Sequence, residues 1–234
     1  MEHRVVMLSG AARGIGGAIC RRLIADGHIV SAGLRPGRKV PGHLADAPAE
    51  QVMTWDFDAE DRSTHIPWVE ATAARFGGID TLINCAGIDG DARLADATEA
   101  GLDRLWTVNA KTPLHLIQLA LPHLRKGGRG RIVNVASLSG KRVKNDNVGY
   151  AMTKFALVAL THTVRQQEWA NGIRATAICP GFVRTDMTAG VTKVARDDMT
   201  RPEDIAAAVS FLLSLPNSAS VSEFCVNCRA EDVY

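Results

Sequence analysis

Tyr150 and Lys154 stand four residues apart, and Ser137 precedes them by thirteen. On a helix, residues four apart share a face, one turn from each other. An ammonium beside a phenol favours the phenolate and lowers the phenol's pKa from its usual value of about 10. A phenol tuned this way can act as acid or base near neutral pH. Ser137 closes the apolar run 131–136, which reads as a buried parallel strand. Its hydroxyl would then lie at a strand's C-terminal end, where open α/β sheets bind ligands. Tyr-x-x-x-Lys alone also describes an ordinary surface pair, so the elements around it must decide.

The chain has 234 residues, 46% of them hydrophobic, enough for a sizeable α/β core. Net charge is +2, with both signs spread along the chain, which argues against a dedicated nucleic-acid binder. No apolar run reaches the roughly 20 residues that span a bilayer. Residues 1–3 lead straight into the first apolar segment, so no signal peptide is expected and a cytoplasmic location follows. The cysteines, Cys20, Cys85, Cys179, Cys225 and Cys228, are odd in number and read as free thiols. Cys225 and Cys228 have CxxC spacing, but no further ligands stand at matching spacing, so a short C-terminal strand is expected there and no metal site.

Strand-like and helix-like segments alternate. A strand at 4–8 runs directly into Gly10-Ala11-Ala12-Arg13-Gly14-Ile15-Gly16, and a helix follows over 17–25. Small residues between a strand and a helix N-terminus let the backbone approach a pyrophosphate. A second strand at 29–32 is followed by Gly33-Leu34-Arg35. An acid here would bind a ribose 2′-hydroxyl, whereas an arginine accommodates a 2′-phosphate. Arg35, with Arg13 able to reach the same group and no acid at Leu34, favours NADP(H) over NAD(H). Residues 36–50 read as a surface loop with one weak helical turn. Asp56 ends a third strand at 52–55, placed to meet an adenine amino group or to cap the next segment.

A helix is expected over 66–76, stopped by Gly77-Gly78, and a fourth strand over 81–84. Cys85-Ala86-Gly87 then forms a small turn that a cofactor could approach. A loop at 88–97 leads into a long helical region, 98–124, where Pro113 predicts a distortion near Asn109. The basic connection 125–131 could dock an acidic partner or be a solvated loop. The central helix follows over 151–160, then a sixth strand at 174–178. Pro180-Gly181 ends it, and Thr185 would sit over the sheet's C-terminal edge. Residues 189–199 form a candidate substrate lid. Thr200-Arg201-Pro202-Glu203 reads as a capping box for a helix over 204–214, and 221–226 as a last strand. One doubly wound α/β domain over residues 1–234 is expected, with about seven parallel strands and helices on both faces.

Together these motifs resemble the short-chain dehydrogenase/reductase family, in its compact single-domain branch. The likeness covers residues 4–226 and includes similarity to 3-oxoacyl-carrier-protein reductases. Gly10-x-x-x-Gly14-x-Gly16 resembles the family's cofactor loop, and Asn84-Cys85-Ala86-Gly87 its Asn-Asn-Ala-Gly turn with cysteine at the second position. Asn109, Ser137, Tyr150 and Lys154 match its catalytic tetrad in order and spacing. Pro180-Gly181 with Thr185 matches its nicotinamide-side loop.

The resemblance implies roles. Tyr150 is the proton donor or acceptor, and Ser137 holds the carbonyl oxygen. Lys154 lowers the pKa of Tyr150 and bonds the nicotinamide ribose, and Asn109 holds a relay water. Thr185 and the backbone at Val183 fix the carboxamide. Asp56 contacts adenine, and Asn84, Ala86 and Gly87 line the ribose side. The partner is a small carbonyl or alcohol substrate, and a homotetramer, or a dimer, forms through the helices that carry Asn109 and Tyr150.

The sequence departs from the family at its end, where Val226-Asn227-Cys228-Arg229 and an acidic tail replace a Val-Asp-Gly-Gly-like turn. The lid at 186–199 is short. Lys141, Arg142 and Lys144 outnumber Asp146 in the loop before Tyr150, which suggests an anionic or strongly polar substrate. Two other readings compete: an NAD-dependent alcohol dehydrogenase, and a nucleotide-binding regulatory protein without turnover.

Overall fold

The computed structural model describes residues 3–90, 92–144 and 146–231. The end of the acidic tail, 232–234, and the first two residues lie outside them. Seven parallel strands form one sheet in the order β3-β2-β1-β4-β5-β6-β7. They are β1 (Val5–Ser9), β2 (Ile29–Leu34), β3 (Val52–Asp56), β4 (Thr81–Asn84), β5 (Arg131–Val135), β6 (Arg174–Pro180) and β7 (Glu223–Val226). Strand order reverses between β1 and β4, so the C-terminal ends of Ser9 and Asn84 flank a crevice suited to a ligand. β1, β4 and β5 are buried throughout, which is why they read as continuous apolar runs.

Helices cover both faces. On one face, α1 (Gly14–Ala25) packs against α7 (Pro202–Ser214), with Ile19, Leu23, Ile205 and Val209 in a shared core with Val6, Leu8 and Ile178. On the other lie α3 (His65–Phe76), α5 (Thr112–Lys126) and α6 (Val148–Gln167), with Trp68, Leu116 and Val164 against Met7, Leu82 and Ile132. A short α2 (Gly42–Ala45) supplies the one turn expected in its loop, and α4 (Glu99–Trp106) leads toward α5. The expected distortion near Asn109 is a π-helical turn over Thr107–Lys111 between α4 and α5. Pro113 has no N–H to give Asn109's carbonyl, so the α-helical ladder fails there.

Two local expectations change. The cap of α7 is Arg201, whose N–H donates to Asp204 (2.9 Å), not Thr200. Thr200 instead bridges Val183, its N–H donating to Phe182 O at 3.1 Å and its carbonyl accepting from Arg184 N at 2.9 Å. The central helix begins at Val148, ahead of the expected start, because Asn147 caps it: its Oδ1 accepts from Tyr150 N at 3.1 Å.

Candidate active site

The crevice floor is made by glycine. Gly10 has φ +72, a conformation costly for other residues, and a Cβ there would lie 2.9 Å from Ala86 N. At Gly16 a Cβ would fall 2.1 Å from Gly10 O, so any side chain would break the turn before α1. Gly14 (φ +54) faces Thr185, with 3.3 Å between its missing Cβ and Thr185 Cγ2. Arg13 and Ile15 flank Gly14 at the start of α1, whose free N–H groups and dipole favour an anion. The expected cofactor loop, the Ala86-Gly87 turn and the Thr185 loop therefore converge on one cleft. Side chains at Gly10 and Gly16 would collide with backbone and one at Gly14 would crowd Thr185, so glycine keeps the turn tight and the start of α1 open, which fits a dinucleotide.

Ser9 is a residue that sequence reasoning missed. Its Oγ accepts from Cys85 N (3.1 Å) and Ala86 N (3.2 Å), locking the small turn against the glycine loop. A serine immediately before the first glycine of such a motif is the available signal.

Tyr150, Lys154, Ser137 and Asn109 come together beside this turn. Ser137 sits after β5 in extended conformation (φ -172), and its Oγ accepts from Ser139 N at 3.0 Å. A Cβ at Gly140 would lie 2.6 Å from Lys154 O, so glycine lets the Ser137 turn rest on α6. Lys154 Nζ lies 5.5 Å from the Tyr150 ring centroid and donates to Val135 O at 2.9 Å. Gly87 stands between two of these groups: its missing Cβ would be 3.4 Å from Asn109 Oδ1 and 3.6 Å from Lys154 Nζ.

The electrostatics differ from the sequence expectation. Burial pushes the Tyr150 phenol up to about 12, a hydrogen bond with Ser137 pulls the other way, and the Asp89 carboxylate adds to the rise. Lys154 is itself pushed down to about 8 by burial, and its ammonium is held by a carbonyl rather than by the phenol. Desolvation outweighs the Ser137 hydrogen bond in this arrangement.

Asn109 is 1% exposed and its amide is committed. Its Oδ1 accepts from Ile88 N (3.0 Å), and its Nδ2 donates to Ile88 O (2.9 Å) and Thr153 Oγ1 (3.2 Å). The side chain thus ties the loop after β4 to α6, and the expected relay water would have to use its backbone. Asn84 also departs from expectation. Its amide donates to Asn134 Oδ1 at 2.8 Å, inside the protein and away from the cleft. Asn134 continues the chain to Thr161 at 2.8 Å, while Asn84 Oδ1 is buried without a partner.

At the adenosine end, Asp56 is exposed in register with Leu34. The two arginines expected to read a phosphate already hold carboxylates. Arg13 pairs with Asp186, and Arg35 Nη2 lies 3.3 Å from Glu60. Glu60 also accepts both arms of Arg104, at 2.9 and 3.1 Å. At the other end, Pro180 closes β6 and the Gly181 N–H donates to Val226 O at 2.7 Å. A Cβ on Gly181 would lie 2.6 Å from Asn227 Oδ1. Thr185 N donates to Thr188 Oγ1 (3.2 Å), which itself donates to Val183 O (2.6 Å). Residues 186–199 hold two short turns, Asp186–Thr188 and Arg196–Asp198.

The positive loop before Tyr150 is not a free basic patch. Lys141 pairs with Glu223 (2.6 Å), and Arg142 and Lys144 with Glu231 (2.8 and 3.2 Å). These acids lie far along the chain, which is why a local charge count overstated the patch. The basic connection 125–131 is likewise engaged. Arg125 is bidentate to Glu168 (2.8 and 2.5 Å), and Arg131 donates to Asn217 Oδ1 (2.6 Å) and Leu215 O (2.7 Å).

Residues 4–196 match the family model for short chain dehydrogenase. Two agropine synthesis reductases of Rhizobium rhizogenes are 41% and 42% identical, over 100% and 98% of this chain. The chain spans about half of their length, 54% in each case. An uncharacterized oxidoreductase of Staphylococcus epidermidis is 32% identical, covering 95% of this chain and 96% of that protein. Among solved structures, levodione reductase superposes with a TM-score of 0.86 at 28% identity, covering 95% of each chain. An alcohol dehydrogenase from the archaeon Thermococcus sibiricus, complexed with 5-hydroxy-NADP, has a TM-score of 0.86 at 27% identity, covering 96% of each. No helix among the described residues is long and apolar enough to cross a membrane.

Proposed function

This chain belongs to the short-chain dehydrogenase/reductase family, and from that premise we propose that it is an NADP(H)-dependent reductase of a small carbonyl substrate. The observation that carries the reading is the convergence of Ser137, Tyr150 and Lys154 on the same cleft as the Gly10–Gly16 loop. The whole chain, 1–234, acts as one catalytic domain, with 186–199 as its lid.

Bound NADPH supplies the hydride. Tyr150 Oη gives its proton to the carbonyl oxygen as negative charge develops there, and Ser137 Oγ donates a hydrogen bond to that oxygen. A Lys154 pKa of about 8 keeps its ammonium mostly protonated at neutral pH, where it stabilises the phenolate left behind. Lys154 would also hold the nicotinamide ribose of the bound cofactor. Asn109, by holding Ile88 to Thr153, keeps the floor of the site fixed against α6. The Gly14–Gly16 backbone would hold the pyrophosphate, Asp56 the adenine, and Val183 and Thr185 the carboxamide. Ala86 and Gly87 offer backbone to the ribose.

Arg35 and Arg13 favour NADP(H): each holds a carboxylate that a 2′-phosphate can replace. NADPH and NADH should be titrated by nicotinamide fluorescence on wild type and on Arg35→Asp. Replacing a charged hydrogen bond by repulsion should weaken NADPH binding by about 10- to 100-fold and leave NADH within a few-fold. Equal loss of both would assign Arg35 to packing and reopen the NAD-dependent reading.

The agropine synthesis reductases favour a substrate related to theirs, because their likeness spans this whole chain. A carbonyl screen should therefore include precursors of agropine. Assembly into a homotetramer through α5 and α6 is supported by the apolar side chains these helices expose, Leu114, Met152 and Phe155. Sedimentation of wild type and of Phe155→Glu tests it: a smaller species is expected for the variant.

A further inference from the structure

Cys225 was paired in sequence with Cys228, yet in the fold its neighbour is Cys179. The two face each other in register across β6 and β7. Glu223 stands two residues before Cys225 on β7, so its side chain leaves the same face of the strand. The ligand atoms of Cys179, Cys225 and Glu223 all lie within 4.8 Å of one another, and Cys228 is not in the group.

We propose that Cys179, Cys225 and Glu223 form a site for a thiophilic divalent cation of the Zn2+ type, with water as the fourth ligand. Two sulfurs and one carboxylate oxygen form a donor set suited to such a cation, and three protein ligands leave an open position. Tetrahedral geometry with metal–sulfur bonds of about 2.3 Å puts ligand atoms about 3.5 to 3.8 Å apart. Side-chain rotation covers the remaining gap, because both cysteines are already fixed on paired strands. Cys179 is fully buried at the back of the site, and Cys225 is exposed at the sheet edge, where a cation can enter.

The surroundings suit this role. His162 Nε2 lies 2.6 Å from Glu223 Oε1, which fixes the carboxylate while leaving its second oxygen for the metal. Lys141 now holds that second oxygen at 2.6 Å. On binding, its flexible ammonium gives up the oxygen and remains nearby. The two thiols release their protons to solvent, so two thiolates and one carboxylate oppose the metal's two charges and the ammonium's one. The site is thus neutral in total.

Co2+ reports such a site because thiolate ligands give it near-ultraviolet charge-transfer bands and tetrahedral geometry gives strong visible bands. Titration of reduced, cofactor-free protein with Co2+ should show both, saturating at about one equivalent and erased by Zn2+. Cys225→Ser should abolish the charge-transfer intensity or weaken binding at least 10-fold, and Cys228→Ser should change neither. His162→Gln should weaken binding by about 10-fold with the bands retained. In wild type, saturating Zn2+ should protect Cys225, but not Cys228, from alkylation read by mass spectrometry, a result that does not depend on any variant folding. Absence of the bands, bands unchanged in both intensity and Co2+ affinity in Cys225→Ser, or alkylation of Cys225 at an unchanged rate would each overturn the proposal.

Discussion

The centre of the cleft and the rim that carries Arg13 and Arg35 are built in opposite ways. At the centre, Asn109, Lys154 and Ser9 are 1%, 5% and 2% exposed, and each is held by backbone groups from another element. At the rim, Arg13 and Arg35 have side chains 60% and 57% exposed and are held by carboxylates from elsewhere in the chain. A buried polar group without its partner costs about 1–3 kcal/mol, so its geometry is strongly dictated. An exposed ion pair contributes about 0–1 kcal/mol and can exchange one anion for another. The centre is therefore fixed before ligand arrives, and the rim can trade a carboxylate for a phosphate.

The largest expected effect tests the centre. Tyr150→Phe keeps the ring's packing and removes only the proton donor. Turnover on a carbonyl substrate should fall by about 100- to 10,000-fold while NADPH binding changes little. Turnover within 10-fold of wild type would mean that another group protonates the oxygen and that the central cluster is structural.

A second test asks how the centre is held. Asn147 caps α6 through Tyr150 N and donates to Asp89 O (2.7 Å) and Gly90 O (2.8 Å). Asn147→Ala should cost about 1–2 kcal/mol in denaturant unfolding. It should also lower kcat more than it raises KM, since Tyr150 sits in the released turn. Lost stability with unchanged kcat would show that the rest of α6 is enough to place Tyr150.

A smaller effect belongs to the rim. Glu60 links Arg35 to Arg104, and under the proposed NADP(H) reading a 2′-phosphate would have to win Arg35 from it. Glu60→Gln should tighten NADPH binding about 2- to 5-fold, in keeping with an exposed pair, and leave NADH unchanged. Weaker binding would mean that Glu60 orients Arg35 rather than competing for it.

The same division governs what was legible in the sequence. The strands were readable because β1, β4 and β5 are buried throughout and so are mostly apolar, with their few polar residues chiefly at the ends. The glycine turn was readable because backbone crowding at Gly10 and Gly16 admits no side chain. Pro113 announced the π-helical turn, since a missing N–H acts locally. Side-chain partners distant in sequence were not readable. Nothing near Asn84 points to Asn134, nothing near Lys141 to Glu223, and Cys225 gives no sign of Cys179. The direction of the Tyr150 shift was misread for the same reason. Helical spacing gives the neighbouring ammonium, but the burial that raises the Tyr150 phenol comes from the assembled fold.

The pair between Arg142 and Glu231 lies between the two regimes and sharpens the contrast. Like the rim pairs it joins charges distant in sequence, tying the loop before Tyr150 to the end of the described chain, yet the side chains are only 15% and 8% exposed. Two bonds from Arg142 (2.8 and 2.9 Å) and one contact with Lys144 hold the Glu231 carboxyl far down, at about 2. A folded-state pKa below the unfolded value means that the unfolded chain binds the proton more readily. The stability this pair contributes is therefore fully present above about pH 4.5 and is lost as pH falls toward about 2. Glu231→Gln removes the titrating group. Its melting temperature should lie below that of wild type at pH 6, and the gap should narrow by pH 3.5. A gap that stays constant with pH would place Glu231 with the exposed, exchangeable pairs, and burial of the tail would then contribute nothing that protonation can remove.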